Sequence, residues 1–222
     1  SCLLLSYAYS ADWPTWGGDA TRNMVSLEKG LDFDFEPGEM NDDETVDMST
    51  TKNIKWVAKL GSQAYGNVTI ANGRVFAGTN NESPRDSGKK GDRGVVMCFD
   101  EKNGELEWQL VIPKLGAGKV SDWEYIGVCS SPAIEGNRVY VVTNKCEVVC
   151  LDIEGFKNGN DGPFMDETNY VKPKGTQDSL NEKLDADIIW MYDMRDQLGV
   201  FPHNVTSSSP LIIGDSIFVA TS

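Results

Sequence analysis

The sequence predicts an all-β fold built from repeated four-stranded antiparallel units. Three segments share one pattern of a short apolar strand, a glycine turn and a β-branched or aromatic strand, with turn glycines at Gly73, Gly136 and Gly214. Tight hairpin turns require positive φ, which glycine adopts without strain. Ser-Ser-Pro leads into the second and third hairpins, at residues 130–132 and 208–210. Elements that recur in a fixed order indicate one structural unit used several times.

A third and a fourth strand complete each unit. The third strand ends in Asp100 in the first unit and in Asp152 in the second. A turn closed by Gly104 follows Asp100 and leads to a fourth strand with Trp108, whose counterpart in the second unit is Trp190. Asp accepts hydrogen bonds from the turn backbone, Gly takes positive φ, and Trp supplies a large apolar surface. We therefore predict structural repeat roles for these five residues and for the three turn glycines.

One such unit cannot bury both of its faces alone, whereas units stacked around an axis can. The sequence therefore predicts a β-propeller of four-stranded antiparallel blades, with about two complete blades and the start of a third. The repeats are spaced more widely than a plain blade of roughly 40–50 residues, and insertions account for the excess. The longest, residues 154–187, lies between the third and fourth strands of the second blade. We call it the long insertion.

The chain divides into three regions. Residues 54–222 form the partial propeller, which we expect to be truncated because the sequence stops within an apparent strand. Residues 11–53 form an acidic, extended segment. Residues 1–10 combine an apolar run with Ala8-Tyr9-Ser10, whose small residues have the spacing that signal peptidase accepts. They indicate the remainder of a signal peptide, with a buried N-terminal strand as the alternative, and predict a periplasmic, outer-membrane-associated or extracellular protein.

The net charge and the hydropathy of the sequence exclude some classes of binding partner. The formal net charge is -14, which repels the phosphates of nucleic acids and anionic membrane surfaces. Beyond the first residues, no stretch approaches the roughly 18 apolar residues that span a membrane. We therefore expect no nucleic acid partner and no membrane insertion. Protein partners are expected, and a small-molecule ligand is the other option.

Four cysteines lie beyond the predicted signal peptide, and exported proteins can form disulfides. Cys129 begins one strand and Cys146 follows the end of the next, which in a hairpin places them on the same side of the sheet. We predict a Cys129–Cys146 disulfide, which requires a Cα separation below about 7 Å. Cys98 and Cys150 share one third-strand position and fit buried core thiols. A zinc site is not indicated, since His203 is the only histidine.

Candidate ligand-binding residues lie outside the repeated strands. In the long insertion, Asn158, Asn160 and Asp161, together with Asp166 and Glu167, carry oxygens of the kind that Ca²⁺ binds, although their spacing is not that of an EF-hand loop. Ordinary solvated loop polarity is the alternative. Some aromatic residues are candidates for a sugar or peptide site, with packing as the alternative. These are Trp13, Trp123 and Tyr125.

The stretch from Phe99 to Trp108 resembles the PQQ-like repeat, in which Asp, three residues and Gly precede a Trp. Ser-Ser-Pro followed by Gly-x-x-Val-Tyr-Val resembles the companion hairpin of those repeats. The resemblance covers roughly residues 54–222 and departs from the family pattern where the long insertion separates Asp152 from Trp190. The family includes quinoprotein dehydrogenases, the BamB outer membrane assembly lipoprotein and many exported bacterial proteins.

The resemblance implies two alternative functions. The first is an exported binding and interaction scaffold. The second is a quinoprotein oxidoreductase, a PQQ- and calcium-dependent alcohol or sugar dehydrogenase whose active site lies partly outside this chain. Such enzymes typically carry an adjacent Cys-Cys pair and a catalytic Asp, whereas this sequence has no Cys-Cys dipeptide and places Asp100 and Asp152 at the turn position. The scaffold is the preferred prediction, and catalytic and cofactor-binding residues are left unassigned.

Overall fold

The computed structural model describes residues 11–221, and the predicted signal peptide at residues 1–10 lies outside them. The acidic segment that precedes the repeats is largely exposed and has little regular structure. Its short strands β1 (Glu39–Met40) and β2 (Val46–Asp47) pair antiparallel, and a turn of 3-10 helix follows at Met48–Thr50. This segment is therefore much poorer in sheet than the repeats that follow it.

Two four-stranded antiparallel sheets hold the repeats. The first contains, in order, β3 (Thr69–Ala71), β4 (Arg74–Asn80), β5 (Arg93–Asp100) and β6 (Leu106–Pro113). The second contains, in order, β7 (Ala133–Glu135), β8 (Arg138–Val142), β9 (Glu147–Asp152) and β10 (Ile188–Asp193). A further hairpin pairs β11 (Leu211–Ile213) with β12 (Ser216–Phe218). The predicted all-β class, with two four-stranded blades and the start of a third, is confirmed.

Glycine closes the first turn of each unit for a conformational reason. Gly73, Gly136 and Gly214 have φ values of 73°, 56° and 55°. A Cβ atom at any of the three would meet nothing within 4 Å. Backbone conformation, and not close packing, therefore selects glycine at these turns.

The two blades share their register at the Trp strand. Cys98 of β5 pairs with Trp108 of β6, and Cys150 of β9 pairs with Trp190 of β10. In both blades an irregularity in the register lies directly beside this pair. Trp108 and Trp190 are therefore structurally equivalent, although the long insertion precedes only Trp190.

The main core lies between the two sheets and draws on both of them. Phe76 of the first sheet and Leu151 of the second are among its buried members, together with Trp108, which is 1% exposed. The Trp108 indole N–H donates to the Ile153 carbonyl of the second blade at 2.9 Å. A Cβ atom on Gly155 would come within 3.0 Å of the same ring. The sheets therefore pack face to face, as neighbouring propeller blades do.

A second tryptophan repeats this contact on the first blade. The Trp56 indole N–H donates to the Glu101 carbonyl at 2.9 Å. Gly104 lies against the Trp56 ring, because a Cβ atom there would be 2.5 Å from it. Trp56 and Trp108 thus each pack on the Asp-to-Gly turn of the blade that follows them in the chain.

The long insertion folds against both blades. It contains a turn of 3-10 helix at Gly155–Asn158 and the short helix α1 (Glu167–Tyr170). Near its end, the Gln109 N–H donates to the Leu184 carbonyl and the Ala186 N–H donates to the Gln109 carbonyl, both at 2.7 Å. This parallel bridge joins the outer strand β6 of the first blade to the chain that enters β10.

A second short helix, α2 (Met194–Leu198), follows β10 and was not predicted. The Asp193 carboxylate caps it by accepting a hydrogen bond from the Arg195 N–H at 2.9 Å. Gly199 ends it in the left-handed conformation, with φ of 67°. An N-cap Asp and a terminal Gly are both visible in the sequence, so this signal was available.

Candidate functional site

The first strands of three blades lie next to one another, and the N-terminal segment crosses them. Trp13 pairs antiparallel with Ile70 of β3, with N–H···O distances of 2.7 and 2.9 Å. The Pro14 carbonyl then accepts a hydrogen bond of 2.8 Å from the Ile134 N–H of β7. Strand β7 contacts both β3 and β11. Because three first strands meet here, this side of the blades faces their common axis.

A cleft of about 950 Å³ opens beside these strands. The rings of Trp16, Tyr65 and Trp123 line it, together with serines 207–209, which lead into β11. Among the described residues of its lining, Arg22 carries the only formal charge. We call it the axial cleft. Its lining combines stacking surface with hydroxyl groups, a composition found at protein recognition surfaces.

Arg22 joins the N-terminal segment to the third hairpin at the edge of the axial cleft. Its guanidinium carbon lies 5.3 Å from the centroid of the Trp16 ring, within the range of a cation–π contact. Its Nη2 donates to the Ser209 carbonyl at 3.0 Å. Arg22 therefore links the Trp16 wall of the cleft to the Ser209 wall.

The three aromatic candidates from the sequence lie in different places. Trp123 lines the axial cleft and is 49% exposed, whereas Tyr125 is 45% exposed and does not line it. Trp13 is engaged in the backbone pairing with β3. Sequence reasoning missed Trp16 and Tyr65 as cleft residues, since neither belongs to a repeated motif.

The structure does not form the predicted Cys129–Cys146 disulfide, because both residues are free, buried thiols. Cys129 faces the axial cleft. Cys146 lies in the turn between β8 and β9 with φ of 61°, and it packs with Met194 of α2. This left-handed turn residue, which the sequence does not reveal, gives the two thiols different neighbours. Cys98 and Cys150 are also free and buried.

Four carboxylates gather at the base of the long insertion, and we call them the acidic cluster. Asp152 ends β9, Asp161 lies in the following loop, Glu167 begins α1, and Asp187 directly precedes β10. One oxygen atom each of Asp152, Asp161 and Asp187 lie within 4.8 Å of one another. The Asp152 N–H donates to the Asp187 carbonyl at 3.0 Å, which holds the two ends of the insertion side by side.

The environment of Asp187 disfavours its negative charge. Burial raises the pKa of the Asp187 carboxyl to about 6, and the charge of Glu167 and then those of Asp152 and Asp161 raise it as well. The Asp161 N–H, which donates to Asp187 Oδ2 at 3.0 Å, lowers the pKa part of the way back. Carboxylates in such a site favour a proton or another cation close by.

The predicted calcium ligands have different roles around this cluster. Asp161 belongs to it, whereas the Asn158 amide donates to Asp161 Oδ2 at 3.2 Å and the Asn160 amide donates to Glu167 Oε2 at 3.2 Å. The two asparagines therefore orient acids through their nitrogens. Of the other two acids considered from the sequence, Glu167 belongs to the cluster, whereas Asp166 accepts the Asn169 amide at 2.6 Å. Sequence reasoning missed Asp187, which lies at the far end of the long insertion.

A protein-family model described as outer membrane protein assembly factor BamB matches residues 42–155 and, in a second overlapping match, residues 90–222. The chain belongs to this PQQ-like repeat family. The family includes both assembly factors and quinoprotein dehydrogenases, and its members are typically exported. No curated protein matches the chain. Within residues 11–221, no helix has the length and apolar character needed to cross a membrane.

Quinoprotein members of the family hold PQQ, a flat quinone that carries several carboxylates. Recognition of carboxylates favours guanidinium groups and other strong donors. The described lining of the axial cleft offers the guanidinium of Arg22, which already donates to the Ser209 carbonyl. Arg22 is therefore the one cationic group that the described lining offers to the carboxylates of such a cofactor.

Proposed function

We propose that this chain is part of an exported β-propeller that binds protein partners through its axial cleft. The observation that carries the proposal is the composition of the cleft. Four aromatic rings, those of Trp16, Tyr65, Trp123 and Phe218, converge with a row of serines and one guanidinium beside the first strands of three blades. Aromatic residues and Arg contribute most of the binding energy at protein interfaces. Protein contacts are also a known property of BamB-like members of the family.

The occupant that best suits the axial cleft is an extended, largely apolar segment of a partner. The volume of about 950 Å³ is at the upper end of ordinary ligand sites. It therefore holds several side chains. Trp16, Tyr65 and Trp123 supply apolar and stacking surface. The hydroxyl oxygens of Ser208 and Ser209 accept the Ala220 and Ser131 N–H groups, so their own O–H groups are left to donate to carbonyls of a partner backbone. The net charge of -14 favours a neutral or basic segment over an acidic one.

The test uses the full-length protein as bait, with Trp123→Ala compared against Tyr125→Ala. The two residues lie in the same loop with similar exposure, but only Trp123 lines the cleft. We expect the wild type and Tyr125→Ala to retain the same exported partner and Trp123→Ala to lose at least tenfold in affinity for it, the scale of an interface hot spot. Equal affinity of Trp123→Ala and Tyr125→Ala would contradict binding in the axial cleft.

A second measurement separates the scaffold from the quinoprotein alternative. The full-length protein, with Ca²⁺ held constant, is titrated with PQQ while calorimetric heat and dye-linked alcohol oxidation are followed. The scaffold predicts neither heat nor turnover. Tight PQQ binding with turnover would overturn the proposal and direct the search for a catalytic Asp to blades outside this chain.

A further inference from the structure

The acidic cluster has the oxygen spacing of a site for a single hard cation. Ca²⁺ binds oxygen atoms at about 2.3–2.6 Å, so two oxygens on the same ion are at most about 5.2 Å apart. One carboxylate oxygen each of Asp152, Asp161 and Asp187 lie within 4.8 Å of one another. This spacing is compatible with three carboxylates on one Ca²⁺ after small side-chain adjustments.

Two carboxylates of the cluster present oxygens that no described residue satisfies. Asp187 is 0% exposed and Glu167 is 1% exposed. Asp187 Oδ1 and Glu167 Oε1 have no hydrogen-bond partner among residues 11–221. A buried carboxylate oxygen without a partner is costly, and such groups are normally paired or coordinate a metal.

The remaining oxygens of the same carboxylates are held in place. Asp187 Oδ2 accepts the Asp161 N–H at 3.0 Å, and Glu167 Oε2 accepts the Asn160 amide at 3.2 Å. Each carboxylate is thus oriented through one oxygen and leaves the other open. Metal sites use the same arrangement, because outer hydrogen bonds orient the ligands and increase metal affinity.

Described cations do not balance the charge of the cluster. Arg138 donates to Asp152 Oδ2 at 2.5 Å. Lys157 lies in the same insertion but pairs with Glu107 at 3.1 Å. Four carboxylates therefore meet one guanidinium in the part of the chain that the structure describes. A divalent cation would remove most of the excess negative charge.

We propose that Asp152, Asp161 and Asp187 bind one Ca²⁺, with Glu167 as a fourth carboxylate, and that this ion orders the long insertion. Asp152 and Asp187 stand at the two ends of the insertion, whereas Asp161 and Glu167 lie within it. One ion therefore joins both ends of the insertion to its middle. None of the four residues lines the axial cleft, so the site is independent of the proposed partner binding.

The first blade provides an internal comparison. Asp100 is the repeat counterpart of Asp152, but its turn continues directly to β6. Asp100 Oδ1 accepts the Lys102 N–H at 2.7 Å and the Asn103 N–H at 3.2 Å, which is an ordinary turn cap. The repeat therefore supplies one Asp in both blades, and the long insertion supplies the other three carboxylates in the second blade alone.

Calorimetric titration of the chelator-treated, full-length protein with Ca²⁺ tests the site. We expect one Ca²⁺ per chain from this cluster and at least tenfold weaker binding in Asp187→Asn and Asp161→Asn, because each loses one ligand charge. Asp100→Asn is the matched control and should stay within about twofold of the wild type, since it changes the same turn position without touching the cluster. Asp161 is only partly buried, so Asp161→Asn still tests the loss of a ligand if Asp187→Asn does not fold.

The rate of limited trypsin digestion measures whether Ca²⁺ orders the long insertion. Lys174 and Lys183 lie within it, are exposed and are not followed by proline. We expect Ca²⁺ to slow cleavage after these residues at least fivefold relative to chelator in the wild type, but not in Asp161→Asn, because binding stabilises only the ordered form.

Three outcomes would overturn the proposal. The first is the absence of both binding heat and protection at millimolar Ca²⁺. The second is a loss of affinity in Asp100→Asn as large as in Asp187→Asn, and the third is equal binding of Mg²⁺, which would remove the assignment to Ca²⁺. Partner capture by Trp123→Ala and Tyr125→Ala is measured separately, so either proposal can fail alone.

Discussion

Breaking the buried ion pair between Lys89 and Asp185 is predicted to destabilise the protein strongly. Lys89 lies in the loop between β4 and β5 of the first blade, and Asp185 lies in the long insertion of the second. Their side chains are 1% and 0% exposed. Lys89 Nζ also lies 3.4 Å from Asp86, and Asp185 accepts the Asn181 N–H at 2.7 Å. The pair therefore links two blades through their loops.

The expected magnitude follows from this burial. Removing Lys89 leaves Asp185 as an uncompensated buried charge, which costs about 3–5 kcal/mol, whereas removing Asp185 leaves Lys89 paired with Asp86 alone. Burial raises the pKa of the Asp185 carboxyl, while the hydrogen bond from Lys89 lowers it, so the carboxylate depends on its partner. Lys89→Met should lower the free energy of unfolding by that amount, and Asp185→Asn by about 2–3 kcal/mol, because Asp86 still lies 3.4 Å from Lys89. The double variant should lose less than the sum by about 2 kcal/mol or more, because it leaves no unpaired charge between the two sites.

Urea unfolding of the full-length protein, followed by tryptophan fluorescence, measures these differences. The surface pair Lys119 and Glu124, at 65% and 57% exposure, is the matched control. Glu124→Gln should change the free energy of unfolding by about 1 kcal/mol or less. A loss in Asp185→Asn no larger than that in Glu124→Gln, or strict additivity in the double variant, would refute the reasoning.

Two further predictions concern a turn glycine and a cleft thiol. Gly104→Ala should lower the free energy of unfolding by about 2 kcal/mol or more, because φ is 74° and the new Cβ would lie 2.5 Å from the Trp56 ring. Gly116 has φ of 78° and open space around it, so Gly116→Ala should lower the free energy of unfolding by only about 1–2 kcal/mol through backbone strain. Both variants are measured by urea unfolding, and equal losses of stability in the two would contradict the packing argument. Burial raises the pKa of the Cys129 thiol to about 11. Near pH 8 its alkylation, followed by mass spectrometry, should be on the order of 100-fold slower than that of a free cysteine and should become faster as the pH rises. Alkylation at the rate of a free thiol would contradict this prediction.

The repeated framework could be predicted because its signals are local and periodic. Trp108 and Trp190 were matched by motif alone, and the structure pairs them with the equivalent residues Cys98 and Cys150. Turn glycines could be predicted because the turn requires positive φ, which few other residues adopt without strain. The pairing of Cys129 with another cysteine was a different kind of inference, because it depended on side-chain direction in a turn that the sequence does not define.

The axial cleft could not be predicted because it joins distant segments. Trp16 lies in the N-terminal segment, Tyr65 precedes the first blade, and Trp123 belongs to the loop between the two blades. None of them carries a local motif. The same holds for the acidic cluster, where Glu167 and Asp187 meet Asp161 only after the long insertion has folded back on its blade.

One turn of the second blade carries both the packing of the blades and the acidic cluster. Asp152 contributes its carboxylate to the cluster, while the carbonyl of the next residue, Ile153, accepts the Trp108 indole N–H at 2.9 Å. On the first blade the corresponding turn follows Asp100 and receives Trp56 in the same way, but no insertion enters it. Because backbone atoms make the contact with the tryptophan, side chains added by an insertion can change the chemistry of the turn without disturbing the packing of the blades. The repeat therefore reveals where blades meet, and the chemistry depends on what has been inserted between its strands.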